Sequence, residues 1–258
     1  MPSWYLTLPA LLSLCLGLTL CPAKLTWAGA FTVDPLQVVL FAKTLSGLVT
    51  LRNHSAEPLR VQLSVWAWEQ SPQGEMRLTP TEDLVWFPTL LMLVPGETRR
   101  IRLGAATSFA AIEKSYRLFV EELPPLETPQ ADTGGVQLRI LTRVGIPIFL
   151  QPAHSVARGL IQAAATHHGQ LSFQVTNTGT IHVLVQTVRV QGLGEAGEPV
   201  FERQLSGWYI LAGGVRIYTL ELPQAVCAKI AALALEVQMD QATVKAYVDR
   251  PSGTCRQS

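Results

Sequence analysis

The sequence has few charged residues and no excess of either sign. Lys and Arg number 20 and Asp and Glu 19 in 258 residues, so the net charge is +1 and charged residues are 15% of the total. The chain therefore lacks the excess of basic residues that binds nucleic acids or anionic membranes. Its hydrophobic content of 48% is enough for a substantial core, so intrinsic disorder is not expected.

Recognisable catalytic and metal-binding motifs are absent as well. The sequence has no Gly-x-Ser-x-Gly nucleophile elbow, and the glycine-rich segment 192–197 lacks the strand-to-helix context of a phosphate-binding loop. His167 and His168 are adjacent in a predicted turn with no carboxylate at ligand spacing, so no metal or other cofactor is expected. We therefore expect a protein that binds another protein rather than an enzyme.

The first thirty residues have the pattern of an export signal. Residues 6–20 form a leucine-rich apolar run that is shorter than the ~20 residues needed to cross a bilayer, and residues 28–30 supply a small-residue cleavage site. Residues 1–5 lack the usual Lys or Arg, so a signal anchor or a misassigned start codon stays open. Cleavage after Ala30 predicts an exported protein that is not embedded in a membrane.

Only four cysteines are present. Cys15 and Cys21 belong to the predicted signal, which leaves Cys227 and Cys255 in the mature chain. An even number in an oxidising compartment favours one disulfide between them. The alternative is two separate thiols, one buried and one in the C-terminal tail.

Short strand patterns separated by turn motifs dominate from residue 31 onward. Several such strands favour an all-β chain built from sandwiches. Residues 151–153 mark a boundary, which predicts an N-terminal domain over 31–150 and a C-terminal domain over 155–258. Strands are predicted at 38–41, 48–51, 61–66, 99–103, 116–123, 160–164, 170–177, 182–190, 200–205, 214–222, 233–239 and 243–248.

Residues 136–150 are predicted as one unusually long strand, since strands usually have about 5–6 residues. Pro147 cannot donate a ladder hydrogen bond, so the regular pairing should change near it. Most of the apolar residues share one parity, with Leu141 and Phe149 on the other, and such a pattern in an isolated sequence indicates the core of a sandwich. The members of this set are Val136, Leu138, Ile140, Val144, Ile146 and Ile148, with Thr142 between them.

One segment resembles a known family. Residues 113–124, with the sequence EKSYRLFVEELP, resemble a signature of the PapD-like periplasmic chaperones that assemble pili in chaperone–usher systems. FTVDP at 31–35, VTLRN at 49–53, WFP at 86–88 and LVPG at 93–96 recur in the family's order. RVGIPIF at 143–149 resembles the family's closing strand, especially in its archaic branch. The resemblance covers most of 31–150 and is weak beyond residue 155.

The resemblance implies two immunoglobulin-like domains in a boomerang arrangement. It also implies a periplasmic protein that binds a pilus subunit, delivers it to an outer-membrane usher and needs no cofactor. The chaperone would lend a strand to the incomplete subunit. The alternatives are that these residues fill the first domain's own core, or that the chain is an exported structural or adhesive module. The implied donor positions are Val136, Leu138, Ile140, Thr142 and Val144.

The resemblance fails at both positions of one functional site, the carboxylate anchor. Typical family members hold the subunit's C-terminal carboxylate with an Arg on the first strand and a Lys near the end of the closing strand. Gln37 and Pro147 occupy these places here, so the usual pair of cations is missing.

Arg117 and Arg143 are the candidate substitutes. If the hairpin pairs Leu123 near Val136, Arg117 falls opposite Thr142 and beside Arg143, where two guanidinium groups could bind a carboxylate. The alternative is that each Arg pairs with a neighbouring carboxylate, from Glu113, Glu121 or Glu122.

Overall fold

The computed structural model describes residues 31–126 and 140–249. They form two immunoglobulin-like β-sandwiches, so the predicted all-β fold class is confirmed. Within the described ranges no helix is long and apolar enough to cross a membrane. The predicted signal peptide, residues 1–30, lies outside them.

The first sandwich packs a four-stranded sheet, in the order β1-β3-β8-β6, on a six-stranded sheet. In the six-stranded sheet the order is β2-β10-β9-β4-β5, with β7 also paired to β4. Alternate apolar residues from both sheets fill the space between them, which explains the period-2 pattern of the sequence. The strands are β1 (Phe31–Asp34), β2 (Val38–Leu40), β3 (Ser46–Asn53), β4 (Leu59–Gln70), β5 (Met76–Pro80), β6 (Leu84–Phe87), β7 (Leu90–Leu93), β8 (Thr98–Ala105), β9 (Lys114–Leu123) and β10 (Arg143–Leu150).

The second sandwich packs a three-stranded sheet, β11-β12-β16, on a sheet with the order β14-β13-β17-β18 and with β15 added to β13. Its strands match the predicted ones to within a few residues, except that the two-residue β15 and the single-turn helix α1 were not foreseen. The elements are β11 (Gly159–His167), β12 (Gln170–Asn177), β13 (Val183–Leu193), β14 (Pro199–Ser206), β15 (Tyr209–Ile210), β16 (Val215–Glu221), α1 (Gln224–Cys227), β17 (Ala232–Met239) and β18 (Thr243–Asp249).

Both sandwiches contain the same buried asparagine corner. The chain has only two asparagines, Asn53 at the end of β3 and Asn177 at the end of β12, and both are fully buried. The Nδ2 of Asn177 donates to the backbone carbonyls of Ile181, Ile210 and Leu211 at 2.8–3.1 Å. The Nδ2 of Asn53 likewise donates to two backbone carbonyls. Each amide therefore ties a strand end to backbone groups that β-pairing leaves unsatisfied.

The long strand predicted over 136–150 is shorter in the structure. β10 begins at Arg143, and Ile140 to Thr142 have no strand assignment, although the Thr142 carbonyl accepts a hydrogen bond from the Glu122 N–H. The ladder to β9 runs through Pro147 without interruption, whereas the parallel ladder to β2 begins only at Ile148. The predicted change of pairing at Pro147 thus occurs on one edge of β10. Val136 and Leu138 fall in the part of the chain that is not described.

Cys227, at the end of α1, is buried in the core of the second sandwich and is disulfide-bonded. The predicted partner, Cys255, lies beyond residue 249, so the pairing stays a prediction. A bond between them would close a loop of about 29 residues and stabilise the fold by roughly 3–4 kcal/mol in the chain-entropy model.

We therefore expect Cys227→Ser to lower the melting temperature of the second sandwich. Mass spectrometry of non-reduced peptides should find the peptide with Cys227 joined to the peptide with Cys255. Two free thiols in the oxidised protein would contradict the pairing.

Candidate functional site

The six-stranded sheet of the first sandwich turns one face to its own core and the other toward the second sandwich. Tyr116, Leu118 and Val120 of β9 pack in the core, so the alternating residues Arg117 and Phe119 lie on the outer face. At one end of this face an apolar cluster joins the sandwiches. It consists of Trp68, Phe149 and Leu211, with Val39, Leu78, Trp208 and Tyr209 packed against them.

Polar contacts fix the two sandwiches to each other beside this cluster. The Gln70 side chain donates to the Tyr209 carbonyl at 3.0 Å and accepts from the Leu211 N–H at 3.2 Å. The buried Glu113 carboxylate accepts both the backbone N–H and the Nδ1–H of His182, at 3.0 and 2.8 Å. Because these groups are buried or half-buried and paired across the interface, they hold the outer face and the second sandwich in a defined geometry.

Arg117 is the unusual residue of the site. Only 6% of it is exposed, and its guanidinium lies 3.9 Å from the centroid of the Trp68 ring. Its Nη1 donates to the Gly145 carbonyl at 3.2 Å. Its Nε and Nη2, and the Trp68 Nε1 in the same cluster, have no hydrogen-bond partner among the described residues. Buried donors without partners are rare in proteins. These atoms are almost fully shielded from solvent, so an acceptor reaches them only when a covering side chain moves aside.

Burial and their mutual interaction shift the pKa values of Arg117 and Tyr209. Burial lowers the pKa of Arg117 below its ordinary value, and the nearby Tyr209 hydroxyl acts in the opposite direction. Burial raises the pKa of Tyr209, which the Arg117 charge partly offsets. A guanidinium stays protonated in proteins, so the site holds a positive charge with no carboxylate partner among the described residues.

The predicted placement of Arg117 beside Arg143 is wrong. The β9–β10 ladder pairs Arg143 with Glu121 and Arg117 with Pro147, so the two arginines lie four ladder positions apart. Nineteen residues separate β9 from β10 in the sequence, too many for a turn type to fix the register of their pairing. Arg143 is half-exposed, pairs with Glu121 at 3.4 Å and stacks on Phe119, as the alternative interpretation expected. Arg117 pairs with none of the three carboxylates considered for it.

The two uncharged residues at the usual anchor positions are part of this site. Pro147 lies directly opposite Arg117, and Gln37 immediately precedes β2, the parallel neighbour of β10. The Gln37 Oε1 accepts a hydrogen bond from the Tyr209 hydroxyl at 3.1 Å. The positive charge is therefore carried by β9, the strand that pairs with the closing strand β10.

An open strand edge runs from this site. β2 covers β10 only at Ile148–Leu150, so among the described residues β10 has no strand partner on that edge over Arg143–Pro147. Ile140 is 79% exposed, and Leu141 and Leu36 are also exposed. An unpaired edge beside exposed apolar side chains can receive a strand from a partner.

The predicted donor positions differ in their surroundings. Val144 packs against the core of the first sandwich, and Thr142 is half-buried with its N–H donating to the Glu122 carboxylate. The predicted donor role therefore does not suit Val144, because β10 already turns this side chain inward. Of the described positions, Ile140 alone is exposed and apolar.

The chain was compared with known proteins. Residues 30–155 match the family described as pili and flagellar-assembly chaperone, PapD N-terminal domain. No curated protein sequence matches the chain. Among solved structures, the class 5 fimbriae chaperone CfaA is 13% identical with a TM-score of 0.55, over 84% of this chain and 98% of that one.

Two further structures contain complexes. One is the CsuC–CsuE chaperone–tip subunit complex from the archaic Csu pili of Acinetobacter baumannii, at 17% identity, TM-score 0.54 and 85% and 98% coverage. The other is the Salmonella enterica SafA pilin with the SafB chaperone, at 15% identity, TM-score 0.53 and 87% and 98% coverage. These likenesses concern the fold. Together with the family match they confirm the resemblance found in the sequence: residues 30–155 belong to the PapD N-terminal domain family of pilus-assembly chaperones.

Proposed function

We propose that this protein is a periplasmic chaperone that captures pilus subunits by donor-strand complementation and delivers them to an outer-membrane usher. In this proposal residues 1–30 are a cleaved signal, residues 31–150 form the chaperone domain and residues 155–258 form the second domain. The observation that carries the proposal is the buried, unpartnered Arg117 at the end of the open edge of β10.

The donor segment extends from this edge. A subunit strand that pairs with β10 over Arg143–Pro147 would continue past Ile140 toward Leu138 and Val136. Backbone hydrogen bonds along the edge supply affinity, and apolar side chains entering subunit pockets supply specificity. Ile140 is the described residue whose exposure suits this role.

Arg117 is the proposed anchor for the subunit's C-terminal carboxylate. Its Nε and Nη2 are adjacent donors of one planar group, the arrangement that binds a carboxylate through two parallel hydrogen bonds. A carboxylate there would give a counter-charge to a cation that has none among the described residues. Arg143 is a weaker candidate because Glu121 and Phe119 already engage it.

The test is co-expression with a pilus subunit of the same organism, followed by measurement of how much subunit co-purifies. We expect Arg117→Gln to weaken capture of that subunit at least about ten- to a hundredfold, because losing even one of the two charge-assisted hydrogen bonds costs roughly 1.5–3 kcal/mol. The fold should survive, because the variant replaces a desolvated charge by a neutral amide.

Arg143→Gln is the matched control, since it removes the same group four ladder positions away. Its capture should stay within about threefold of the wild type, as exposed ion pairs contribute little. If Arg143→Gln caused the larger loss, the anchor would be Arg143. If neither variant changed capture, the carboxylate would bind elsewhere.

A further inference from the structure

The second sandwich completes the surroundings of Arg117. The guanidinium carbon lies 5.2 Å from the centroid of the Trp208 ring and 6.0 Å from that of Tyr209, in addition to its contact with Trp68. Distances up to about 6 Å give an attractive cation–π interaction. Trp208 and Tyr209 belong to the second sandwich, whereas Arg117 and Trp68 belong to the first.

Local structure holds these two rings in place. Trp208 follows Gly207, where a Cβ would lie 2.1 Å from the Val185 carbonyl oxygen, so only glycine permits this close approach. The Trp208 carbonyl then accepts the Val185 N–H at 3.0 Å. Tyr209 pairs with Leu184 in the β13–β15 ladder. The rings are thus positioned by the backbone of the second sandwich before any ligand binds.

Aromatic faces suit a guanidinium that must receive an anion. A carboxylate neighbour would stabilise the cation by neutralising it and would occupy its donors, whereas ring faces stabilise it without accepting Nε–H or Nη2–H. The cost of burying a charge is thereby reduced while its hydrogen-bonding capacity is kept.

We propose that Trp208, assisted by Tyr209, is a positioning residue of the carboxylate anchor, so that the anchor is built by both sandwiches. This inference rests on the proposed function, because it assumes that Arg117 binds a carboxylate. It assigns to the second sandwich a part, through Arg117, in recognising the end of the bound chain.

The experiment uses the full mature chain and a probe of defined chemistry. The probe is a fluorescein-labelled peptide of about twelve residues with alternating valine and threonine, made with a free C-terminal carboxylate and as the C-terminal amide. Fluorescence anisotropy gives Kd for each form. In the wild type the carboxylate form should bind about ten- to a hundredfold more tightly.

Trp208→Leu should reduce this preference by roughly three- to tenfold while leaving the affinity for the amide unchanged. Trp208→Phe, which keeps an aromatic face, should restore most of it. In the Arg117→Gln background, Trp208→Leu should cause no further loss of preference. Tyr247→Leu, which removes an exposed aromatic ring from β18, is the matched control and should bind both peptides normally.

Two other results separate the possible failures. If Trp208→Leu weakened both peptides equally, or neither, Trp208 would serve only domain packing and the inference would be wrong. If the wild type showed no preference, or Arg117→Gln kept it, the proposed anchor itself would fail, whatever the effect of Trp208. Circular dichroism melting of each variant shows that the comparison is made between folded proteins.

Discussion

Asn177→Asp should strongly destabilise the second sandwich at neutral pH. The substitution keeps the shape of the side chain but replaces a donor by a carboxylate oxygen that faces the Ile181, Ile210 and Leu211 carbonyls. A buried charge opposed by acceptors and deprived of its hydrogen bonds should cost at least about 4 kcal/mol. Whole domains are stable by only about 5–15 kcal/mol, so the loss is a large share of the total.

Amide hydrogen exchange measured by mass spectrometry can locate this loss. Protection in β12 and β13 should fall toward that of an unfolded chain, while β3 and β8 keep theirs. Asn53→Asp, at the equivalent corner of the first sandwich, should give the reverse pattern. A variant with normal melting and normal protection would show that the amide at this corner is dispensable.

The sequence predicted the second sandwich better than the site. Strands such as β12 have complete period-2 patterns bounded by turn residues, so their positions could be read from the sequence. Strands β6 and β7 were missed, because LVWF and LLML are unbroken apolar runs in which no polar residue marks a period of two. The two buried corners could have been predicted from the scarcity of asparagine. The chain has only two, and each ends or follows a predicted strand, where its amide can bind backbone groups at the strand end.

The site depends on contacts that no local pattern encodes. Glu113 and His182 are 69 positions apart, and their pairing follows from how the sandwiches pack. The aromatic surroundings of Arg117 likewise combine β4 with the segment around β15. Period-2 reasoning identified Ile140, Val144 and Ile146 as one face, but it could not tell where along that face the covering sheet ends. In the structure this limit lies between Ile140 and Val144.

The donor-strand proposal can be tested with Ile140 and Ile146, which lie on the same face of the segment but on opposite sides of the point where the covering sheet ends. Ile140 is 79% exposed and Ile146 is 1% exposed in the core of the first sandwich. Ile146→Asp should unfold this sandwich, because an unpaired carboxylate in an apolar core costs several kcal/mol. Ile140→Asp should leave the melting temperature within a few degrees of the wild type, because its side chain stays in water.

The folded variant, Ile140→Asp, should lose subunit binding. If Ile140 enters an apolar pocket of the subunit, a charge there loses its hydration without gaining a partner, so Ile140→Asp should reduce co-purification of the subunit at least about a hundredfold. Ile140→Val keeps an apolar side chain and is the control, expected to bind within about tenfold of the wild type. A folded Ile140→Asp protein that captures its subunit normally would exclude Ile140 from the donor strand. Val136 and Leu138 would then be the remaining candidates for the donor residues. An unfolded Ile140→Asp protein would instead place this residue in the first sandwich's own core. Only loss of capture by a folded variant supports complementation, since the carboxylate then disturbs the complex and not the chaperone.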